Sequence, residues 1–347
     1  MTATDEQRPA FVSLGTVVLD ELRRPLLPPQ YNVPGGSATF SVMGARLVAG
    51  EKRAAEIGCI IMAGNDFPQH TVDHYHSWGV SLVIRTDPTR PSTRGLLEYH
   101  DKNFGSKTFR YTTPLVRAAP ADLPTSFLGA AAFHLLAQPA ELRSQVEELI
   151  YLRCKEPLSS LTLGRPLLVW EPAPPFCRRD TKSAHLEAAQ LVDVFSPNHL
   201  ELLAFFYDEI PEFDRRTIEA CARTFLDHGI GSDGKGTLVV RAGEHGCLVA
   251  SPSIDGLYQW VRAFDCSVVD ATGAGNTFLG AFTFAMAGCG KDPIESARMA
   301  NIAATFALEQ VGLPNLQQSL GSEERWNGSQ FRDRLETYLL NETGRCT

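Results

Sequence analysis

The chain has 347 residues, 44% of them hydrophobic, enough to bury a large core within one α/β domain. Thirty-two basic side chains face 40 acidic ones, a formal net charge of −8, so no basic field exists to neutralise a phosphate backbone or an anionic lipid surface, and neither nucleic acid nor membrane is an expected partner. The polar start MTATDEQRPA lacks the build of a secretion signal, the apolar run at residues 128–137 is too short to span a bilayer, and the eight cysteines form no CxxC pair, so the expectation is a soluble, cytoplasmic protein with reduced thiols.

In chain order, residues 11–20 read as an apolar strand and 37–48 as a helix, followed by a strand at 57–63 and a helix at 67–78. Strands at 80–86, 94–100 and 107–112 then follow one another with polar alternation and turn chemistry between them, which predicts a small antiparallel flap. Apolar strands at 131–137, 166–170, 192–196 and 236–242 alternate with helices at 140–153 and 215–227, and helices at 277–287, 294–311 and 329–340 close the chain. Nearly wholly apolar strands separated by helices predict an α/β fold, a mostly parallel sheet covered on both faces. The Pro-rich segment Glu171-Pro-Ala-Pro-Pro follows a strand and is placed to border a ligand crevice. His70, His74 and His76 lack an evident fourth ligand and read as a solvent-exposed helix.

The segment Val268-Val-Asp-Ala-Thr-Gly-Ala-Gly-Asn-Thr-Phe278 carries the chemistry. Gly273 and Gly275 let the backbone approach a ligand, and the following helix offers unpaired N–H groups, which together make an anion hole; the bland reading is a glycine turn capping a core helix. The dinucleotide fingerprint fails because Phe278 takes its third glycine position. Residues 229–236 nearly spell a P-loop, but Gly236 replaces the metal-binding hydroxyl and the helix precedes rather than follows.

The segment closely resembles the C-terminal signature of the pfkB carbohydrate kinases, DTxGAGD. Further matches follow in the family's order: Gly15 to Asp20, Pro34-Gly35-Gly36, Gly64-Asn-Asp66, Trp78-Gly-Val, Asn198-His-Leu-Glu201, the segment Gly243-Glu-His-Gly246, and Ala300-Asn301. Finer details, including Trp170-Glu-Pro and GAGN, resemble a fungal branch related to the yeast maintenance-of-killer protein. The resemblance implies a ribokinase-like fold with a β flap as lid. It covers residues 10–315 as one domain, the flap mainly from 80–115, and leaves 316–347 as a C-terminal helical extension.

It further implies an ATP- and Mg²⁺-dependent phosphotransferase acting on a small sugar or alcohol. Asp20, Gly35 and Gly36 would hold the acceptor, Asn198 and Glu201 would organise Mg²⁺ through water, Gly273, Ala274 and Gly275 would stabilise the transferred group, and Gly243, Gly246 and Asn301 would border the nucleotide. Family members pair through the flap, which implies a homodimer. Two positions depart from the pattern. Asn276 stands where the family has its catalytic aspartate, and an amide is effectively non-basic, so the alternative expectation is a pseudokinase that binds nucleotide or a small molecule without turnover. Phe40 replaces a hydroxyl-binding asparagine, either stacking on a flat acceptor or filling the core. Asp270 braces the glycine turn or serves as a surrogate base, and an already anionic acceptor such as a carboxylate would need no base at all.

Overall fold

The computed structural model describes residues 8–101, 106–155, 164–317 and 323–342. Its first thirteen strands are β1 (Phe11–Ser13), β2 (Val18–Arg23), β3 (Gln30–Gly35), β4 (Ile57–Ala63), β5 (Ser81–Thr86), β6 (Arg94–Tyr99), β7 (Lys107–Tyr111), β8 (Ala132–Ala137), β9 (Leu167–Pro172), β10 (Val194–Phe195), β11 (Thr237–Arg241), β12 (Cys247–Ala250) and β13 (Tyr258–Val261). Nine of them form the central sheet in the order β13-β12-β11-β10-β9-β8-β1-β4-β5. The sheet is parallel from β5 through β11, and β12 and β13 extend it in antiparallel fashion.

Period-2 alternation sends successive side chains of each strand to opposite faces. Phe11 and Val169 accordingly join one buried cluster, with the helices Ser37–Ala49, Ala274–Ala287 and Pro293–Leu308. Val12, Leu168 and Trp170 join the other, with Pro139–Lys155 and Arg215–His228. Trp326 and Tyr338 also lie in the first cluster, so the C-terminal segment is part of the same core.

The helix Ala274–Ala287 is apolar on nearly every side, which places it centrally. It crosses Ser37–Ala49 with main chain against main chain: a Cβ at Gly44 would overlap the Thr277 carbonyl oxygen, and one at Gly280 the Ser41 carbonyl oxygen. Neither partner is a flexible side chain that can give way. Gly280→Ala is therefore expected to lower stability by roughly 1–3 kcal/mol, the usual range for overpacking, and thermal unfolding measures it. A variant melting with the parent protein would show that the helices separate freely.

The second sheet, β3-β2-β6-β7, is the flap, and it differs from expectation in membership. Residues 80–86 were expected there, but Ser81–Thr86 is the edge strand β5 of the central sheet, paired in parallel with β4. The single strand expected over residues 11–20 is two strands, β1 in the central sheet and β2 in the flap. The flap is also not wholly antiparallel, since β2 pairs with β6 in parallel. Asp66 ties the two sheets together, accepting from the Ser92 amide at 2.7 Å and pairing with Arg94 at 2.8 Å.

Candidate active site

Asp20 lies in β2 at the flap's junction with the central sheet, 8% exposed, and its Oδ1 has no hydrogen-bond partner among the described residues. Burial pushes its carboxyl up to about 7. It fits between two glycines: a Cβ at Gly35 would overlap one carboxylate oxygen, and one at Gly95 the other. Gly36 follows with φ 88° and ψ 164°, a conformation open to glycine, and caps the helix Ser37–Ala49. A small cavity joins Asp20, Gly35 and Phe40 to Tyr99, Asp270 and Thr272, the last two of which lead into the glycine turn. Phe40 is 3% exposed, and a Cβ at Gly273 would overlap its ring, so the side chain both underlies the turn and borders the crevice.

Gly273 is left-handed (φ 79°, ψ −9°) and starts the helix Ala274–Ala287, whose first-turn N–H groups have no partner within the helix. Residues 272–276 are partly exposed. Asp270 is fully engaged: Oδ1 meets Lys107 Nζ at 2.5 Å and accepts from the Thr272 amide and hydroxyl, while Oδ2 accepts from the Tyr99 hydroxyl at 2.6 Å. Burial would raise this carboxyl, but Lys107 and Tyr99 outweigh it and hold it below the ordinary range. Lys107 and Tyr99 belong to the flap, so Asp270 latches lid to turn. Of the two roles expected for it, the geometry favours the brace.

A network of charged groups lies beside Asn276. Asn276 Nδ2 donates to Glu171 Oε2 at 2.6 Å, His134 Nε2 lies 3.2 Å from the same oxygen, and Arg241 Nη1 pairs with Glu171 Oε1 at 2.9 Å. Glu171 and Arg241 lie near the carboxyl ends of β9 and β11, which flank β10, where α/β sheets bind ligands, while His134 lies midway along β8 and Asn276 in the first turn of the helix Ala274–Ala287. The Arg241 guanidinium also lies against the turn, where a Cβ at Gly275 would overlap it, and it reaches Glu201 at 3.5 Å. Two buried carboxylates thus share one arginine. Burial raises Glu171, but Arg241 and His134 outweigh it and leave it below the usual range, whereas burial pushes Glu201 up to about 7 against the pull of Arg241. Glu171 and Arg241 were both missed as site residues; a lone carboxylate ending the strand LLVWEP was the available signal.

Asn198 and Glu201 form a capping box at helix His199–Ala204: the Glu201 amide donates to Asn198 Oδ1, and the Asn198 amide to Glu201 Oε2, both at 2.8 Å. Gly243 and Gly246 bound the turn between β11 and β12. Asn301 does not point a free amide at any pocket; its Nδ2 donates to the Arg262 carbonyl at 2.9 Å, pinning the end of β13. The helix Gln69–Ser77 is not uniformly exposed as expected: His74 is partly buried against Trp78, and burial lowers its pKa. Among the described residues no group of three or more His, Cys, Asp or Glu is arranged to hold a metal, and no helix is long and apolar enough to cross a membrane.

A wound parallel sheet, a β lid and a glycine turn at the sheet's carboxyl edge define a ribokinase-like protein. The fold matches an Escherichia coli chain crystallised with ATP and Mg²⁺ and provisionally described as a ribokinase II, with a TM-score of 0.66 at 18% identity over 96% of this chain and 99% of that one. The chain belongs to the pfkB family of carbohydrate kinases, which it matches over residues 30–319. Its relatives include an uncharacterized protein of Schizosaccharomyces pombe, 31% identical over 94% of this chain and 92% of that protein. Another is Protein MAK32 of Saccharomyces cerevisiae, 28% identical over 96% and 93% respectively.

Proposed function

We propose that the protein transfers the terminal phosphoryl group of ATP to a hydroxyl of a small sugar-like or alcoholic acceptor held by Asp20. The observation that carries this reading is the unpartnered Asp20 oxygen, buried beside a cavity that Asp270 and Thr272, at the entry to the glycine turn, also line. An isolated buried carboxylate destabilises a fold, and a ligand hydroxyl donating to it removes that penalty. Gly35 and Gly36 would hold the acceptor with Asp20, whose carboxylate packs directly on Gly35. The amides around Gly273, Ala274 and Gly275 stabilise the phosphoryl oxygens, a role that asks for positioning and charge more than for covalent chemistry.

The acceptor's environment is partly aromatic. Phe109 and Tyr111 pair edge to face at 5.0 Å, and the Phe109 ring abuts Gly95 beside Asp20. Phe40 adds a third ring, which suits an acceptor with a flat or apolar portion.

Asn198 and Glu201 fit a water-mediated Mg²⁺ site, because one carboxylate plus substrate phosphates is a donor set that Mg²⁺ accepts while keeping several waters. The ion, when bound, would neutralise phosphate charge. The loop holding Gly243 and Gly246 borders the nucleotide. A second copy of the chain is the expected partner at the flap, where Leu26, Leu27 and Tyr31 are exposed.

Asn276 favours a second reading, ligand binding without turnover. Calorimetry with ATP and Mg²⁺, followed by ADP release against a panel of sugars and alcohols, separates the two. Binding with acceptor-dependent ADP release is the expected outcome. Binding with no release leaves the pseudokinase, and no ATP binding removes both.

A further inference from the structure

Position 276 lacks a base, yet a carboxylate stands one hydrogen bond away. Glu171 Oε2 accepts from Asn276 Nδ2 at 2.6 Å, with the amide assigned by this bond. An ionised carboxylate only accepts, so the 3.2 Å contact puts the His134 hydrogen on Nε2 and leaves Nδ1 to accept from the Ser13 and Ser41 hydroxyls, each at 3.1 Å. Ser13, Ser41, His134 and Glu171 are buried, and Asn276 is partly exposed. A carboxylate offers about four lone-pair positions, and Asn276, His134 and Arg241 take three.

A brace for Arg241 needs only Oε1. The other oxygen of Glu171 is turned toward the site where the family places its aspartate. From this arrangement we infer that Glu171 is the proton acceptor of the phosphotransferase reaction, taking over the role that Asn276 cannot perform. The inference rests on the phosphotransferase reading given above. Asn276 keeps an orienting role: with its N–H committed to Glu171, its carbonyl oxygen is left to accept from the acceptor hydroxyl.

In the step itself the acceptor O–H bond breaks and its proton passes to Asn276 Oδ1 as an Nδ2 proton passes along the existing hydrogen bond to Glu171 Oε2, leaving residue 276 as the imidic acid tautomer of its amide. The acceptor oxygen bonds to the γ-phosphorus, and the bond from that phosphorus to the bridging oxygen breaks, its electron pair leaving on ADP. A loose transition state draws little on the strength of the base, so a carboxylate held ionised by Arg241 suffices. His134 and Arg241 are positioning residues that fix the carboxylate from two sides. Glu201 and Cys177 are the other titratable groups that feel the charge of Glu171.

The test compares Glu171→Gln, Asn276→Asp and the double variant, with ADP release as the rate and ATP calorimetry as the check on folding and binding. Glu171→Gln is expected to lose ~10²–10⁴ in rate, the usual worth of a general base, while still binding ATP. Asn276→Asp alone places two carboxylates in contact, which cannot both ionise, so it should be no faster than the parent. The double variant restores one carboxylate and one amide in exchanged positions and should regain rate over Glu171→Gln. Parental turnover in Glu171→Gln, or no gain in the double variant, overturns the assignment. So does a faster Asn276→Asp protein, which decides the matter even if removing Glu171 prevents folding. A parent protein that binds ATP and phosphorylates nothing also overturns it, whereas failure to bind ATP removes the underlying phosphotransferase reading instead.

Discussion

Arg241→Met is expected to lower stability by roughly 3–5 kcal/mol at pH 8, the loss typical of stripping the partner from a buried ion pair. Glu171 is 6% and Glu201 8% exposed, and each relies on this one guanidinium. Without it the donors that remain, Asn276 and His134 on Glu171 and Asn198 on Glu201, face two buried charges with no guanidinium beside them, which favours the protonated carboxyls. Their folded pKa values then lie above the unfolded ones, and stability falls as the pH rises from the ordinary carboxylate range through neutrality. Denaturation of Arg241→Met at pH 6 and pH 8 should therefore show the larger loss at pH 8. Changing both acids to glutamine in the same background should return much of it. Equal melting of parent and variant at pH 8 would mean that water already reaches the two carboxylates.

Asp20→Asn is expected to do the opposite, strengthening the fold while removing acceptor phosphorylation. The Asp20 carboxyl titrates near 7 in the folded protein against 3.8 for an unperturbed aspartate. Between those values the folded chain holds a proton that the unfolded chain has lost. The associated stability is present below the unfolded value and disappears as the pH rises to about 7. Above that, the buried charge costs at most ~4 kcal/mol, counted at about 1.36 kcal/mol per unit. Asparagine carries no charge, and after the desolvation of its own amide the net gain at pH 8 should be roughly 1–3 kcal/mol. Chemical denaturation of parent and variant across pH 4–8 checks both the sign and the window. A variant weaker than the parent at pH 8 would show that the carboxylate has a partner in the folded state.

Much of the architecture was legible because alternating apolar strands and capped helices carry local signals. Residues 57–63 were read as the strand β4 now observed, and the helices at 37–48, 140–153 and 215–227 fall within a few residues of their observed ends. The flap was misread for a physical reason. The edge strand β5 is nowhere fully buried and ends on the exposed Arg85 and Thr86, so it lacks the unbroken apolar run of an interior parallel strand. The chain between β1 and β2 stays apolar where it leaves one sheet for the other, so composition marks no boundary there.

The glycine turn was legible because a left-handed residue and close packing against the Phe40 ring and the Arg241 guanidinium demand glycines at fixed spacing. The network beside it was not. Glu171 lies 37 residues from His134 and 105 from Asn276, and only the strand order brings the three together. Asn301 shows the converse case, a residue in the family's place whose amide holds main-chain carbonyls.

The crossing of the two glycine-bearing helices bears on how such a sequence can change while keeping its shape. Gly44, Gly273, Gly275 and Gly280 each face an atom that a methyl group would strike, be it a carbonyl, the Phe40 ring or the Arg241 guanidinium. Sterics alone would keep these glycines in a descendant that had lost every trace of phosphate chemistry. The signature can thus outlive the reaction, and its survival records architecture first. Asp20 is different in kind: steric fit does not require its unpaired oxygen, so a lineage freed from its ligand should replace it early.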